Sequence, residues 1–215
     1  MEQVSSVNYT EISRYVEGLV GDGGEALARV YNESAAMKKY DVFSIDPSRG
    51  RFLELITRIR SPKSILEIGP GIGYSSLWFL KGASPTTTLE VIEVNMHVAR
   101  EFERVMMREG CRNKIKIHHG AALQVLAKME KIFDCIFIDA DKNEYPDYLR
   151  HSLRLTQPGS VILADNMFWS HTATGQKQTD QQGVRKYIEM IFKDKRLSSL
   201  ILPLGDGLAI SYRIR

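Results

Sequence analysis

The sequence predicts an α/β fold: a mostly parallel sheet with helices on both faces, closed by an antiparallel hairpin and preceded by a helical extension. Three observations predict it. From Ser64 onward short apolar runs alternate with amphipathic ones, the pattern of strands and crossover helices on a parallel sheet. The first of these runs ends in Gly69, Gly71 and Gly73, so a buried strand turns tightly into a helix there. Near the end, Leu200–Leu204 and Leu208–Tyr212 are separated only by Gly205-Asp206-Gly207, and strands joined by so short a turn run antiparallel.

Taken in order, Tyr9, Ile12, Tyr15, Val16, Leu19 and Val20 form a helical stripe over residues 8 to 20, ended by Gly21-Asp22-Gly23-Gly24. A second helix is expected from about Glu25 to Lys39, with Leu27, Val30 and Tyr31 inward. Val42–Ile45 reads as extended, because Asp46-Pro47 follows as an N-cap and a proline at the first helical position. The third helix carries Phe52, Leu55, Ile56 and Ile59 and stops near Ser61-Pro62. None of these three helices shows a reactive constellation.

The alternation then predicts strands at 64–69, 88–93, 114–119, 133–139 and 159–164, with helices at 74–81, 95–109, 121–129 and 144–155. Asn95 is placed to cap one helix and Gly110 to end it. A polar loop at 170–182 and a helix near 183–194 lead to the hairpin. Residues 1–215 read as one domain, with 1–60 a helical extension and 61–215 the ligand-binding core.

With 43% hydrophobic and 26% charged residues and a net charge of +3, the composition is that of a soluble globular protein. The mild basicity admits an anionic substrate or an RNA encounter without demanding either. Cys111 and Cys135 are too few for a disulfide framework or a zinc site, and Cys135 lies in an apolar run that marks it as core. No apolar run approaches a membrane span and the N-terminus is not a signal peptide, so an intracellular, cytoplasmic protein with no membrane partner is expected.

Three clusters carry chemistry. The first is Ser64-Ile65-Leu66-Glu67-Ile68-Gly69-Pro70-Gly71-Ile72-Gly73-Tyr74-Ser75. Its G-x-G-x-G spacing departs from the pyrophosphate-binding G-x-G-x-x-G, yet it brings backbone close to a nucleotide-like ligand. By itself such a turn is equally a structural strand-to-helix bend. Glu93, at the end of the next strand, can accept hydrogen bonds from two ribose hydroxyls, which favours a ligand. The second cluster, Phe137-Ile138-Asp139-Ala140-Asp141-Lys142, puts two carboxylates and an amine at the edge where open α/β sheets bind ligands. The third, Val161-Ile162-Leu163-Ala164-Asp165-Asn166-Met167-Phe168-Trp169-Ser170, ends at the same edge. Asp139, Asp165 and Asn166 supply three oxygen ligands suited to one hard cation such as Mg²⁺. Trp169 is a candidate wall for a flat substrate. The histidines form no ligand or catalytic set.

On these motifs, with Gly120-Ala121-Ala122, Asn143-Glu144-Tyr145 and Asp206-Gly207-Leu208, the chain from about Phe43 onward resembles a known enzyme family. It is similar to the cation-dependent class I S-adenosylmethionine O-methyltransferases, the catechol and caffeoyl-CoA O-methyltransferases and their small bacterial relatives. The resemblance implies a Rossmann-like class I methyltransferase fold with a seven-stranded sheet. It implies S-adenosylmethionine as methyl donor and a divalent cation, Mg²⁺ first, with Mn²⁺ or Ca²⁺ as alternatives. The backbone around Ile45, Glu67, Gly69, Gly71, Gly73 and Ser75 would hold the methionine part of the donor, Glu93 the ribose and Ala122 the adenine edge. Asp139 would serve metal and cofactor with Asp141 close by, Asp165 and Asn166 would complete the metal ligands, and Lys142 would be the general base. Trp169 and Ser170 would line the substrate mouth together with Lys142. Ala121 departs from the family, which commonly has an acid there, and His171 stands at a position usually glycine.

The leading expectation is metal-assisted methylation of a catechol-type small molecule by a homodimer. The alternative is a tRNA wobble 5-hydroxyuridine, because residues 8–17 resemble bacterial relatives with that substrate and Lys38, Lys39, Arg49, Arg51, Arg58, Arg60 and Lys63 can meet phosphates. A non-catalytic binder of the cofactor would need neither Lys142 nor the paired acids. An NAD-dependent dehydrogenase is disfavoured by the glycine spacing and by the hairpin.

Overall fold

Val161–Ala164, Cys135–Ile138 and Ser64–Ile68 are buried on every residue, and apolar but for Ser64 and Glu67; a strand of that kind is stable only when both its faces are covered. The computed structural model, which describes residues 9–168 and 178–215, covers them on both sides. Among the described residues the strands are β1 (Ser64–Ile68), β2 (Thr88–Glu93), β3 (Ile115–His119), β4 (Cys135–Ile138), β5 (Val161–Ala164), β6 (Leu197–Leu202) and β7 (Leu208–Arg213). The α-helices are α1 (Tyr9–Val20), α2 (Glu25–Ala35), α3 (Pro47–Arg60), α4 (Tyr74–Gly82), α5 (Met96–Arg108), α6 (Ala122–Lys128), α7 (Tyr145–Arg154) and α8 (Gln178–Lys193).

The sheet order is β3-β2-β1-β4-β5-β7-β6, with β7 antiparallel to both β5 and β6, as the short Gly205-Asp206-Gly207 turn requires. Alternate residues of each strand go to opposite faces. Ile65, Val91, Phe137 and Leu163 join Trp78, Phe79 and Phe102 on the side of α2 to α5. Leu66, Ile92, Ile138 and Ile162 join Tyr145, Tyr148, Leu149 and Tyr187 on the side of α6 to α8. Parallel register pairs Ile68 with both Ile92 and Ile138, and Ile138 with Ala164. The residues that follow these strands, Gly69, Asp139 and Asp165, therefore leave the sheet at one edge, beside Glu93. That edge contains the switch point where the strand order reverses around β1.

The N-terminal helices differ from the sequence expectation. Helix α2 stops at Ala35, and a 3-10 turn at Lys38–Tyr40 replaces its last residues. Tyr31 is not inward: it is exposed on one side and packs its ring against Tyr74 at 5.1 Å. In α3 the apolar Leu55 and Ile59 face out, and the buried face is Arg49, Gly50, Leu53, Glu54 and Thr57. Gly50 lies against the Trp78 indole, where a Cβ would collide, so α3 and α4 approach closely. The helix expected near 183–194 is already formed at Gln178, and β6 starts at Leu197, before the Leu200 expected. No helix among the described residues is long and apolar enough to cross a membrane.

Candidate active site

Gly69, Gly71 and Gly73 all have positive φ, at 86°, 53° and 102°. A Cβ on Gly69 would strike the Asp139 carbonyl and one on Gly73 the Met106 side chain, so the turn is glycine for room as well as for conformation. The extended segment before α3 lies over this turn, since a Cβ on Gly71 would meet Val42 at 3.0 Å. Ile45, on the same segment, is buried. Glu67 is wholly buried beneath the turn, and its two carboxylate oxygens accept hydrogen bonds from the Ser75 and Ser76 hydroxyls. Burial pushes its pKa up to about 7 against those two bonds. With both side chains occupied, Glu67 and Ser75 offer a ligand their backbone. Glu93 accepts from the Asn95 amide at 2.8 Å while Asn95 caps α5, and burial raises the Glu93 pKa. Ala122 opens α6 and is half-buried on the next loop.

The second part of the site is a corner formed by the ends of β4 and β5. Lys142 begins a 3-10 turn just after β4 and donates to Asp139 Oδ1 at 2.9 Å and to the Tyr145 hydroxyl at 2.9 Å. The Tyr145 hydroxyl in turn reaches the Asp165 carbonyl at 3.2 Å. Gly183 of α8 lies against the Lys142 carbonyl, where a side chain would collide, so α8 backs the turn. Asp141 is exposed and caps this turn by accepting from the Asn143 amide at 2.9 Å, a structural role that keeps it beside the corner.

Asp165 is 1% exposed. Its Oδ2 accepts from Arg49 Nη1 at 2.5 Å, and its Oδ1 is buried with no hydrogen-bond partner among the described residues. Burial, and then the charge of Asp139, push its pKa up to about 6 in spite of Arg49. Asn166 follows in the left-handed region at φ 63° and is buried. The chain beyond it is pinned to the hairpin turn, Met167 N donating to the Gly207 carbonyl at 2.9 Å and Phe168 N to the Asp206 carbonyl at 2.6 Å. Trp169 and Ser170, and most of the 170–182 loop, lie outside the described residues.

Arg49, which the sequence reading offered only as a phosphate contact, is a residue of this corner. It donates Nε to Asp46 Oδ2 at 2.7 Å as well as Nη1 to Asp165, and its Nη2 is 3.8 Å from Asp206. Burial works against its charge, but Asp165, Asp46 and Asp139 outweigh that and hold the guanidinium above its ordinary pKa. The available signal was its register: Arg49 lies four residues before buried Leu53 on α3, so an arginine faces inward one turn from a proline N-terminus.

No three His, Cys, Asp or Glu side chains among the described residues group to hold a metal ion. The expected set is a different one, two carboxylates and an amide. It suits a hard cation, and the orphaned Asp165 Oδ1 is the kind of buried oxygen such an ion satisfies.

Residues 21–214 match the O-methyltransferase family. A catechol O-methyltransferase of Niastella koreensis is 29% identical over 214 residues, covering 94% of this chain and 96% of that protein. Among solved structures, the O-methyltransferase from Bacillus cereus in complex with SAH has a TM-score of 0.82 at 28% identity, covering 94% of this chain and 97% of that one. The O-methyltransferase TomG from Streptomyces achromogenes, involved in tomaymycin synthesis and solved with SAM, has a TM-score of 0.84 at 26% identity and covers both chains fully, 100% of each. With the glycine turn, the acid that ends β2 and the reversed final strand in place, the chain belongs to the O-methyltransferase family and is an S-adenosylmethionine-dependent O-methyltransferase.

Proposed function

We propose that the chain methylates one hydroxyl of a small aromatic molecule bearing two neighbouring oxygens, a catechol-like acceptor. The observation that carries this reading is the convergence of Lys142, Asp139 and buried Asp165 at the strand edge, next to the glycine turn. S-adenosylmethionine supplies the methyl group. The open backbone of Gly69 to Gly73 and the buried Glu93 carboxylate suit its amino-acid and ribose ends. Asp139, Asp165 and Asn166 would hold a divalent cation, Mg²⁺ first with Mn²⁺ or Ca²⁺ as alternatives, whose charge favours the ionised form of a nearby hydroxyl.

The chain's own residues do the rest. Lys142 would take the hydroxyl proton at Nζ, and Asp139 and Tyr145 keep that nitrogen in place. The aligned ends of β1, β4 and β5 hold donor and acceptor on one edge, which removes much of the entropic cost of bringing them together.

The small-molecule reading is preferred to tRNA because three of the seven basic residues expected to meet phosphates are engaged by acids of the protein itself. Arg49 is buried in the corner, and Arg51 and Arg58 both bind the buried Glu54. A homodimer accounts for the exposed apolar residues of the extension, Ile12, Tyr15 and Leu19 on α1 with Leu55 and Ile59 on α3.

The test is a methyl-transfer screen against catechols, caffeoyl esters and undermodified tRNA, with and without Mg²⁺, read by product mass. Monomethylated catechol-type products are expected. Methylation of tRNA alone would overturn the proposed acceptor.

A further inference from the structure

We propose that Arg49 is a fixed cation built into the metal corner, holding Asp165 in place without metal and weakening the corner's hold on a divalent ion. The proposal rests on the reading of Asp139, Asp165 and Asn166 as that ion's ligands.

Arg49 comes from α3, 116 residues from Asp165, so it belongs to none of the strand ends that carry the ligands. Its place is fixed from several sides. Asp46 accepts the Arg49 backbone N–H at 2.8 Å as the cap of α3 and the Arg49 side chain at 2.7 Å, which ties both ends of the residue to one carboxylate. Asp206 approaches from the hairpin at 3.8 Å. Gly205, with φ 52°, lies so close that a Cβ there would collide with Asp46 Oδ2 and Arg49 Nε. The hairpin turn is thus shaped around the guanidinium, whose side chain is only 8% exposed.

Two consequences follow for the corner. Asp139 and Asp165 repel each other, and with Lys142 on Asp139 and Arg49 on Asp165 each acid has its own positive partner from the chain. The corner is therefore assembled before any ion arrives. An incoming dication gains less from an acid whose charge is already offset, and it meets the like charge of Arg49 across the Asp165 carboxylate. The Asp165 oxygen that Arg49 leaves alone, Oδ1, is the one open to it without competition from the guanidinium. Arg49 is thus a positioning residue that trades metal affinity for a preformed site.

Mn²⁺ dissociation constants, measured by titration calorimetry on the full-length protein and its variants, test this. Arg49→Met is expected to bind Mn²⁺ about tenfold more tightly than the unaltered protein, because the fixed like charge beside the ion is gone. Asp46→Asn, which preserves the helix cap but removes an acid that offsets Arg49, is expected to bind Mn²⁺ more weakly. Arg58→Met, the same charge change on the exposed part of the same helix, should leave the constant within about twofold. An unchanged or weaker constant in Arg49→Met, a tighter one in Asp46→Asn, or equal tightening in Arg58→Met would overturn the proposal. Should Arg49→Met fail to fold, Asp46→Asn decides alone. Asp165→Asn separates the two readings. If it binds Mn²⁺ as well as the unaltered protein, the ligand assignment fails and this proposal with it. If it loses binding while Arg49→Met changes nothing, only the role of Arg49 fails.

Discussion

Lys142 Nζ stands 2.9 Å from Asp139 Oδ1 and the same distance, 2.9 Å, from the Tyr145 hydroxyl, so one amine is gripped from both sides of a single turn. The grip would hold a flexible lysine at a defined point for the proposed role of base. Replacing Lys142 with Met keeps the side-chain length and removes the proton acceptor. The expected loss in kcat is about 10²- to 10⁴-fold. Binding of S-adenosylhomocysteine, measured by calorimetry, should stay unchanged.

Tyr145→Phe removes the other half of the grip and also the bond to the Asp165 carbonyl at 3.2 Å. The hydroxyl is fully buried, so the groups it served lose a partner that water does not replace. A stability loss of about 1–2 kcal/mol is expected in urea denaturation. A fall in kcat that exceeds any change in donor affinity would mark the tyrosine as positioning Lys142.

Glu67 makes stability depend on pH. Its folded pKa is raised from 4.5 to about 7, chiefly by burial, so the folded protein binds this proton more tightly than the unfolded chain. The stability it contributes is therefore fully present below the unfolded value and lost as pH rises through the folded one. Across that window the loss is about 3 kcal/mol as an order of magnitude. Glu67→Gln keeps the shape and cannot ionise, so its denaturation midpoint should decline less between pH 4.5 and 7 than that of the unaltered protein. Parallel declines in the two proteins would contradict the assignment.

Gly69→Ala places a Cβ against the Asp139 carbonyl at a φ of 86°. Both the clash and the left-handed backbone are unfavourable, and a loss of about 1–3 kcal/mol is expected. Because the same atoms join the glycine turn to the corner at the ends of β4 and β5, S-adenosylhomocysteine binding should weaken with it, which calorimetry would detect.

The sheet and its ligand-side edge were legible because buried parallel strands are mostly apolar. The runs at 135–138 and 161–164 are unbroken and that at 64–68 is interrupted inside only by Glu67, and each ends abruptly in glycine or acid. The reversed last strand was legible from the shortness of its turn. What stayed hidden was the inner face of α3. Its buried positions include Arg49, Glu54 and Thr57, made tolerable by polar partners, local ones for Glu54 and Thr57 and the distant Asp165 for Arg49, so hydrophobic periodicity pointed to the exposed Leu55 and Ile59 instead. Arg49 could be placed in the corner only once the fold brought β5 and the hairpin to it. The engagement of the Glu67 carboxylate by Ser75 and Ser76 was likewise invisible, since nothing in the spacing says which way those hydroxyls point.

The claim that the corner of Asp139, Lys142 and Asp165 selects the acceptor is tested most directly by one comparison. Single-turnover methyl transfer from S-adenosylmethionine is measured to an aromatic carrying two adjacent hydroxyls and to the same ring carrying one. A site that engages two oxygens should methylate the vicinal diol faster by about 100-fold or more. Equal rates on the two acceptors would contradict it.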